Sequence, residues 1–131
     1  MKSSRLGILD RTFNGTAVIK RLTDVLDMLN IPYKLSRVFT DGDKVEFPWT
    51  SADVVCHWGS YGHESEQYEV MGRDLQTAEE NSYGTVTGYL DLQEVTKRIM
   101  NAYSKTHNEI KEDRKESVRE YFKARKIVDR V

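Results

Sequence analysis

The sequence predicts an α/β domain, a small mixed sheet flanked by helices and closed by a helical C-terminal segment. Three observations carry this. All eight glycines and both prolines fall within residues 1–88, so the first two thirds of the chain are cut into short elements while residues 89–131 are free to be helix. An early stretch repeats its apolar residues at helical spacing. Short runs after it alternate apolar and polar residues, as half-buried strands do. A ferredoxin-like α+β arrangement, βαββαβ with the Asp41-Gly42 turn at its centre, is the alternative for the same element order.

Residues 5–9 read as a short strand that ends in the polar loop Asp10-Arg-Thr-Phe-Asn-Gly15. A helix over residues 16–29 follows. Val18, Leu22, Val25, Leu26 and Leu29 form its apolar stripe, Lys20, Arg21, Asp24 and Asp27 take the opposite face, and Asn30 and Pro32 stop it. Tyr33, Leu35 and Phe39 alternate as a strand. Asp41-Gly42 turns the chain back into residues 44–47, a strong hairpin signal. Residues 52–58 form a further strand, expected to be buried on both faces. Residues 64–73 are expected to be helical, with a second helical stretch over 74–81 after a break at Gly72. Residues 84–90 read as the last strand.

Asp91 is a suitable N-cap for the helix that follows, with Glu94 at its third position and Leu90 facing Val95 as a staple. Its stripe is Leu92, Val95, Ile99, Ala102 and Tyr103. From Ser104 to Ser117 only Ile110 is apolar, which marks a joint between helices or an exposed shaft. Val118, Tyr121, Phe122, Val128 and Val131 resume the stripe. One unbroken helix would reach roughly 65 Å at 1.5 Å per residue, far longer than such a domain. The expected organisation is a core over 1–90 and a helical segment over 91–131 within one domain. That segment is expected to make a homo-oligomer.

At 131 residues the chain is long enough for a hydrophobic core without disulfides or metals. Charged residues make up 31% and apolar ones 38%, a composition for a soluble globular chain. No apolar run approaches the ~18 residues of a membrane span, and Met-Lys-Ser-Ser-Arg leads into too short an apolar stretch for a secretory signal. A lone cysteine, Cys56, forms no internal disulfide and suits a reducing cytoplasm. The net charge of −1 hides an asymmetry: residues 1–40 are basic, residues 41–80 hold ten acids against Lys44 and Arg73, and residues 111–131 are basic again. Opposed fields of this kind favour self-association or charged partners, when the two surfaces do not simply face each other within the fold.

Two strand-to-helix loops are polar and carry glycine, where α/β proteins expose backbone N–H groups to a ligand. In the first, Arg11 offers a clamp for phosphate or carboxylate, and Thr12, Asn14, Gly15 and Thr16 bring an amide, hydroxyls and free backbone donors to a helix start. In the second, Trp58 and Tyr61 offer stacking surfaces, while Gly59, Ser60 and Gly62 offer an anion nest. No complete dinucleotide or P-loop fingerprint is present, and helix cap and plain turn remain the bland readings. Together the two loops point to a small anionic ligand, nucleotide-like by preference. No cofactor is specified.

Cys56 and His57 are neighbours in a strand and so point to opposite faces, which argues against a direct Cys–His couple. Cys56 reads as a small core residue. Three histidines and one cysteine show no zinc-type spacing, and no metal site is expected. His63 beside Glu64 is the candidate acid–base pair if the protein is an enzyme. Glu64, Glu66, Glu69, Asp74, Glu79 and Glu80 form an acidic centre without EF-hand spacing. It reads as a solvated face or as a surface that engages a basic protein partner by imitating nucleic acid. The terminal helix alternates both charge signs, which disfavours direct nucleic-acid binding.

Residues 6–35 (strand, glycine-bearing loop, amphipathic helix, Ile-Pro-Tyr into a strand), with Pro48-Trp49 and residues 52–59, resemble the opening half of glutamine-amidotransferase-like and flavodoxin-like domains. The resemblance implies a ligand-bearing sheet edge. The later strand that carries the amidotransferase nucleophile has no counterpart, so no catalytic residue transfers.

Overall fold

The computed structural model describes residues 17–38, 42–56 and 67–125. Within them the chain runs α1 (Ala17–Leu29), β1 (Lys34–Val38), β2 (Gly42–Phe47), β3 (Thr50–Cys56), β4 (Tyr68–Met71), α2 (Ala78–Ser82), β5 (Thr87–Leu90), α3 (Leu92–Thr106) and α4 (Glu112–Ala124). This is the α/β architecture the sequence predicts, with a helical C-terminal segment. The five described strands lie side by side in chain order, each antiparallel to the next. The described strands do not take the ferredoxin-like order, which would interleave them out of chain sequence.

The stripe of α1 is buried as its spacing requires: Val18, Ile19, Leu22, Val25, Leu26 and Leu29 all face the core. The helix ends where Asn30 enters the left-handed region at φ 60°. The Asn30 N–H then donates to the Asp27 carbonyl and the Ile31 N–H to the Leu26 carbonyl, and Ile31 itself is buried. That is a Schellman ending, with Asn in place of the usual glycine.

The hairpin signalled by Asp41-Gly42 forms, with Leu35 paired to Val45 and Val38 to Gly42. β2 and β3 join through the short turn at Pro48-Trp49, where the Trp49 ring meets Phe47 and, edge-on, Tyr103. In β3, Ala52, Val54 and Cys56 face the helices, while Asp53 and Val55 on the other face are only half-buried. The expectation of a strand buried on both faces is thereby corrected. An antiparallel sheet can leave one face to solvent, and the helices cover only one here.

The helix expected over residues 64–73 is also corrected: its described part contains strand β4, paired with β3 through Val54–Val70 and Val55–Glu69. Tyr68 and Val70 face the core and Glu69 and Met71 the open side, a period of two over only four residues. Such a run is short enough to be mistaken for part of a helical one. The second helical stretch is shorter than expected and begins after Thr77, whose hydroxyl accepts from the Glu80 N–H while the Glu80 carboxylate accepts from the Thr77 N–H.

The C-terminal segment is two helices, joined over residues 107–111 with Ile110 tucked into the core. Asp91 caps α3 through the Glu94 N–H, as its position predicts. Val118, Tyr121 and Phe122 of α4 are 4–6% exposed within one chain. They belong to the same core cluster as the α1 stripe, and the Tyr121 hydroxyl donates to Asp24 of α1. The described part of the stripe is therefore covered within one chain, while Val128 and Val131 lie outside the described residues. The antiparallel order of β1, β2 and β3 likewise departs from the parallel strands of flavodoxin-like and amidotransferase-like domains.

Candidate functional site

The residues the sequence assigns to ligand binding, Arg11, Thr12, Asn14, Gly15, Thr16, Trp58, Gly59, Ser60, Tyr61 and Gly62, lie outside the described residues, as do His57, His63 and Glu64. What the structure gives is the ground from which both loops spring. The first loop delivers the chain into α1 at Ala17, and the second leaves the sheet at Cys56 and returns before Tyr68.

The register brings these points together. Asp43 of β2 pairs with Cys56 of β3, and Tyr68 of β4 pairs with Leu90 of β5. One step beyond the Val55–Glu69 pair, Cys56 lies across from Tyr68. Asp43, Cys56, Tyr68 and Leu90 thus form one row at one rim of the sheet. The Tyr68 hydroxyl donates to the Val18 carbonyl in the first turn of α1, a buried bond that ties the start of that helix to the same rim.

The row is chemically unusual for a core. Asp43 is fully buried, and Cys56 and Tyr68 nearly so. Immediately after Leu90, the first two turns of α3 add the buried polar residues Gln93 and Thr96, and the Thr96 Oγ1 has no hydrogen-bond partner. A carboxylate, a thiol, a phenol, an amide and a hydroxyl are therefore drawn from the rim strands and the adjoining start of α3. The sequence reading missed Asp43 because it lies next to a turn. The signal was present, since the alternation Asp43, Val45, Phe47 places Asp43 on the inward face. Cys56 is the small core residue expected of it. Among the described residues no group of His, Cys, Asp or Glu is placed to hold a metal ion.

Of the acidic centre, Glu64 and Glu66 lie outside the described residues, and the other four are engaged within the chain. Asp74 accepts from the Thr50 hydroxyl, Glu79 from the Tyr83 hydroxyl, and Glu80 from the Arg98 guanidinium at 2.7 Å. That guanidinium holds the Glu80 carboxyl down at about 2. Glu69 is buried on the open face of the sheet. On that same face Lys44 stands 3.6 Å from Glu46 and 4.0 Å from Asp53. Burial pushes the Asp53 carboxyl up, against the pull of Lys44. A groove of about 400 Å³, open to solvent, lies at the other end of α3 from the rim and is lined by Met100, Asn101, Lys105 and Lys115.

No helix among the described residues is long and apolar enough to cross a membrane. Comparison with protein-family models, with curated proteins and with solved structures returns no match.

Proposed function

We propose that this protein binds a small anionic ligand, nucleotide-like by preference, between its two polar loops at the Asp43–Cys56–Tyr68 rim. The observation that carries the reading is the common anchorage of the loops: the Tyr68–Val18 bond fastens the start of α1 beside the strand ends that bracket the second loop. Two loops that share an anchorage can act on one ligand.

A contrast among the helices supports the anionic preference. α2, α3 and α4 each carry a carboxylate in the first turn, which satisfies the positive end of the helix dipole. The first turn of α1 carries none, so the positive end of its dipole is not offset by a carboxylate of its own and favours an anion. On this reading Arg11 clamps the anion, the amides of Gly15 and Thr16 add donors, and Trp58 and Tyr61 stack on a ring. A ligand present at 100 times its dissociation constant adds about 2.7 kcal/mol to stability. A thermal-shift screen against nucleotides and phosphorylated metabolites should therefore give a hit. Arg11→Ala and Tyr61→Ala should each weaken that hit while leaving the melting of the ligand-free protein unchanged. A flat screen, or a hit that neither substitution weakens, overturns the reading.

A further inference from the structure

Between Thr77 and Val86 no residue is buried, α2 included. This stretch is held to the body by polar contacts that converge on two side chains. Arg98 of α3, whose side chain is 16% exposed, donates to both carboxylate oxygens of Glu80 at 2.7 and 3.1 Å, to Glu94 at 2.8 Å and to the Leu75 carbonyl at 2.9 Å. The Gln76 amide donates to the Thr85 carbonyl at 2.7 Å and to the Thr87 hydroxyl at 3.0 Å, while its oxygen accepts from the Gly72 N–H.

The two glycines on either side of α2 differ. At Gly72, ahead of the stretch, φ is +119° and a Cβ would lie 2.5 Å from that of Ala52, so the chain there is wedged against β3. At Gly84, φ is +71° and a Cβ would meet nothing within 4 Å, so this end turns in open space. Elements with few buried apolar contacts and exposed backbone hydrogen bonds open locally, without the rest of the protein.

We propose that residues 77–86 form a strap that detaches from the folded body and unravels as one local unit, because a five-residue helix does not persist alone in water, with the Arg98–Glu80 pair as its latch and Gly84 as its loose end. Closed, the strap adds Glu80 as a second carboxylate on Arg98. Open, it leaves the guanidinium with Glu94 as its remaining carboxylate and exposes the Leu75–Gln76 backbone. The strap is independent of the ligand reading, because every group it uses lies in the described body and none in the two loops.

Native-state hydrogen exchange on the full chain tests this. The amides of Glu80, Asn81, Tyr83 and Gly84 are hydrogen-bonded in the closed strap and report its opening. They should exchange well before the amides of α1 and with little dependence on low denaturant. Arg98→Met keeps the stem and removes the latch, and should speed those four amides by roughly tenfold or more, the worth of a charge-assisted hydrogen bond, with α1 and α4 unchanged. Glu80→Gln should act in the same direction and more weakly, and guards against a folding defect in the Arg98 variant. Glu79→Gln, whose carboxylate accepts from the Tyr83 hydroxyl and not from Arg98, should have no effect on Glu80 and Asn81. Protection of the strap equal to that of α1 overturns the proposal. So does unchanged strap exchange in both latch variants, or acceleration spread evenly over the whole chain.

Discussion

Two helices are fastened to this molecule by opposite means. α4 lies on α1 through Val118, Tyr121 and Phe122, all buried, with the Tyr121–Asp24 contact and a bond from Arg114 to the Met28 carbonyl beside them. α2 lies beside α3 with no buried residue and depends on Arg98 and Gln76. Apolar burial scales with area and tolerates small displacements, whereas a guanidinium held by two carboxylates and a carbonyl is directional. The difference separates the part of the chain that sets global stability from a part that can move without it.

The largest expected effect lies on the apolar side of the comparison. Phe122→Ala should lower the free energy of unfolding by about 3–5 kcal/mol, through lost transfer energy and a cavity between α4 and α1. Urea denaturation followed by circular dichroism reads this directly. A loss under about 1 kcal/mol would mean that α4 is not part of the cooperative core.

Next in size is Gly72→Ala at the wedged base of the strap. The new methyl would meet the Ala52 Cβ at 2.5 Å and its Cα at 2.6 Å, where backbone cannot yield, and φ of +119° is strained for any L side chain. A cost of about 2–4 kcal/mol follows. The same denaturation experiment measures it, and a neutral result would show that β3 and the strap base are not in tight contact.

The smallest effect separates the two fastenings by pH. Glu80 has a folded pKa of about 2 against an ordinary value of 4.5, lowered first by its hydrogen bond to Arg98. A depressed carboxyl contributes stability that is fully present above pH 4.5 and is lost as pH falls toward 2. Between those limits the strap amides should lose protection in exchange experiments while the α4–α1 contact, which rests on apolar burial, keeps its own. Parallel loss in both regions would erase the distinction.

What the sequence revealed and what it hid follow from the length and chemistry of each element. α1 was legible from its five-residue stripe and from Asn30 before Pro32, and α3 from the Asp91 cap. The β1–β2 hairpin was legible from Asp-Gly between alternating runs. β4 was hidden because Tyr68 and Val70 are too few inward residues to establish a period, and the glutamates before them favour helix on propensity. α2 was placed only loosely, since its signal is the Thr77–Glu80 capping box rather than any stripe. At the rim, Cys56 was read correctly as a core residue. Asp43 was overlooked because a carboxylate beside a turn is ordinarily solvated, and only its register with Cys56 reveals the burial. Arg98 could not be assigned to Glu80 in advance, for a pair 18 residues apart leaves no periodic trace.

The order of strands has a consequence for how the chain assembles. Every described strand pairs with its sequence neighbour, so the sheet can grow strand by strand, by tight hairpins from β1 to β3 and by longer closures to β4 and β5 that add little entropic cost. The apolar face of α1 has no such convenience. Its last covering piece is α4, and the Tyr121–Asp24 contact spans 97 residues. During synthesis the stripe from Val18 to Leu29 therefore waits, incompletely covered, until α4 has left the ribosome. Until then that stripe is an aggregation hazard in the nascent chain, and the relief of it is written far downstream in α4.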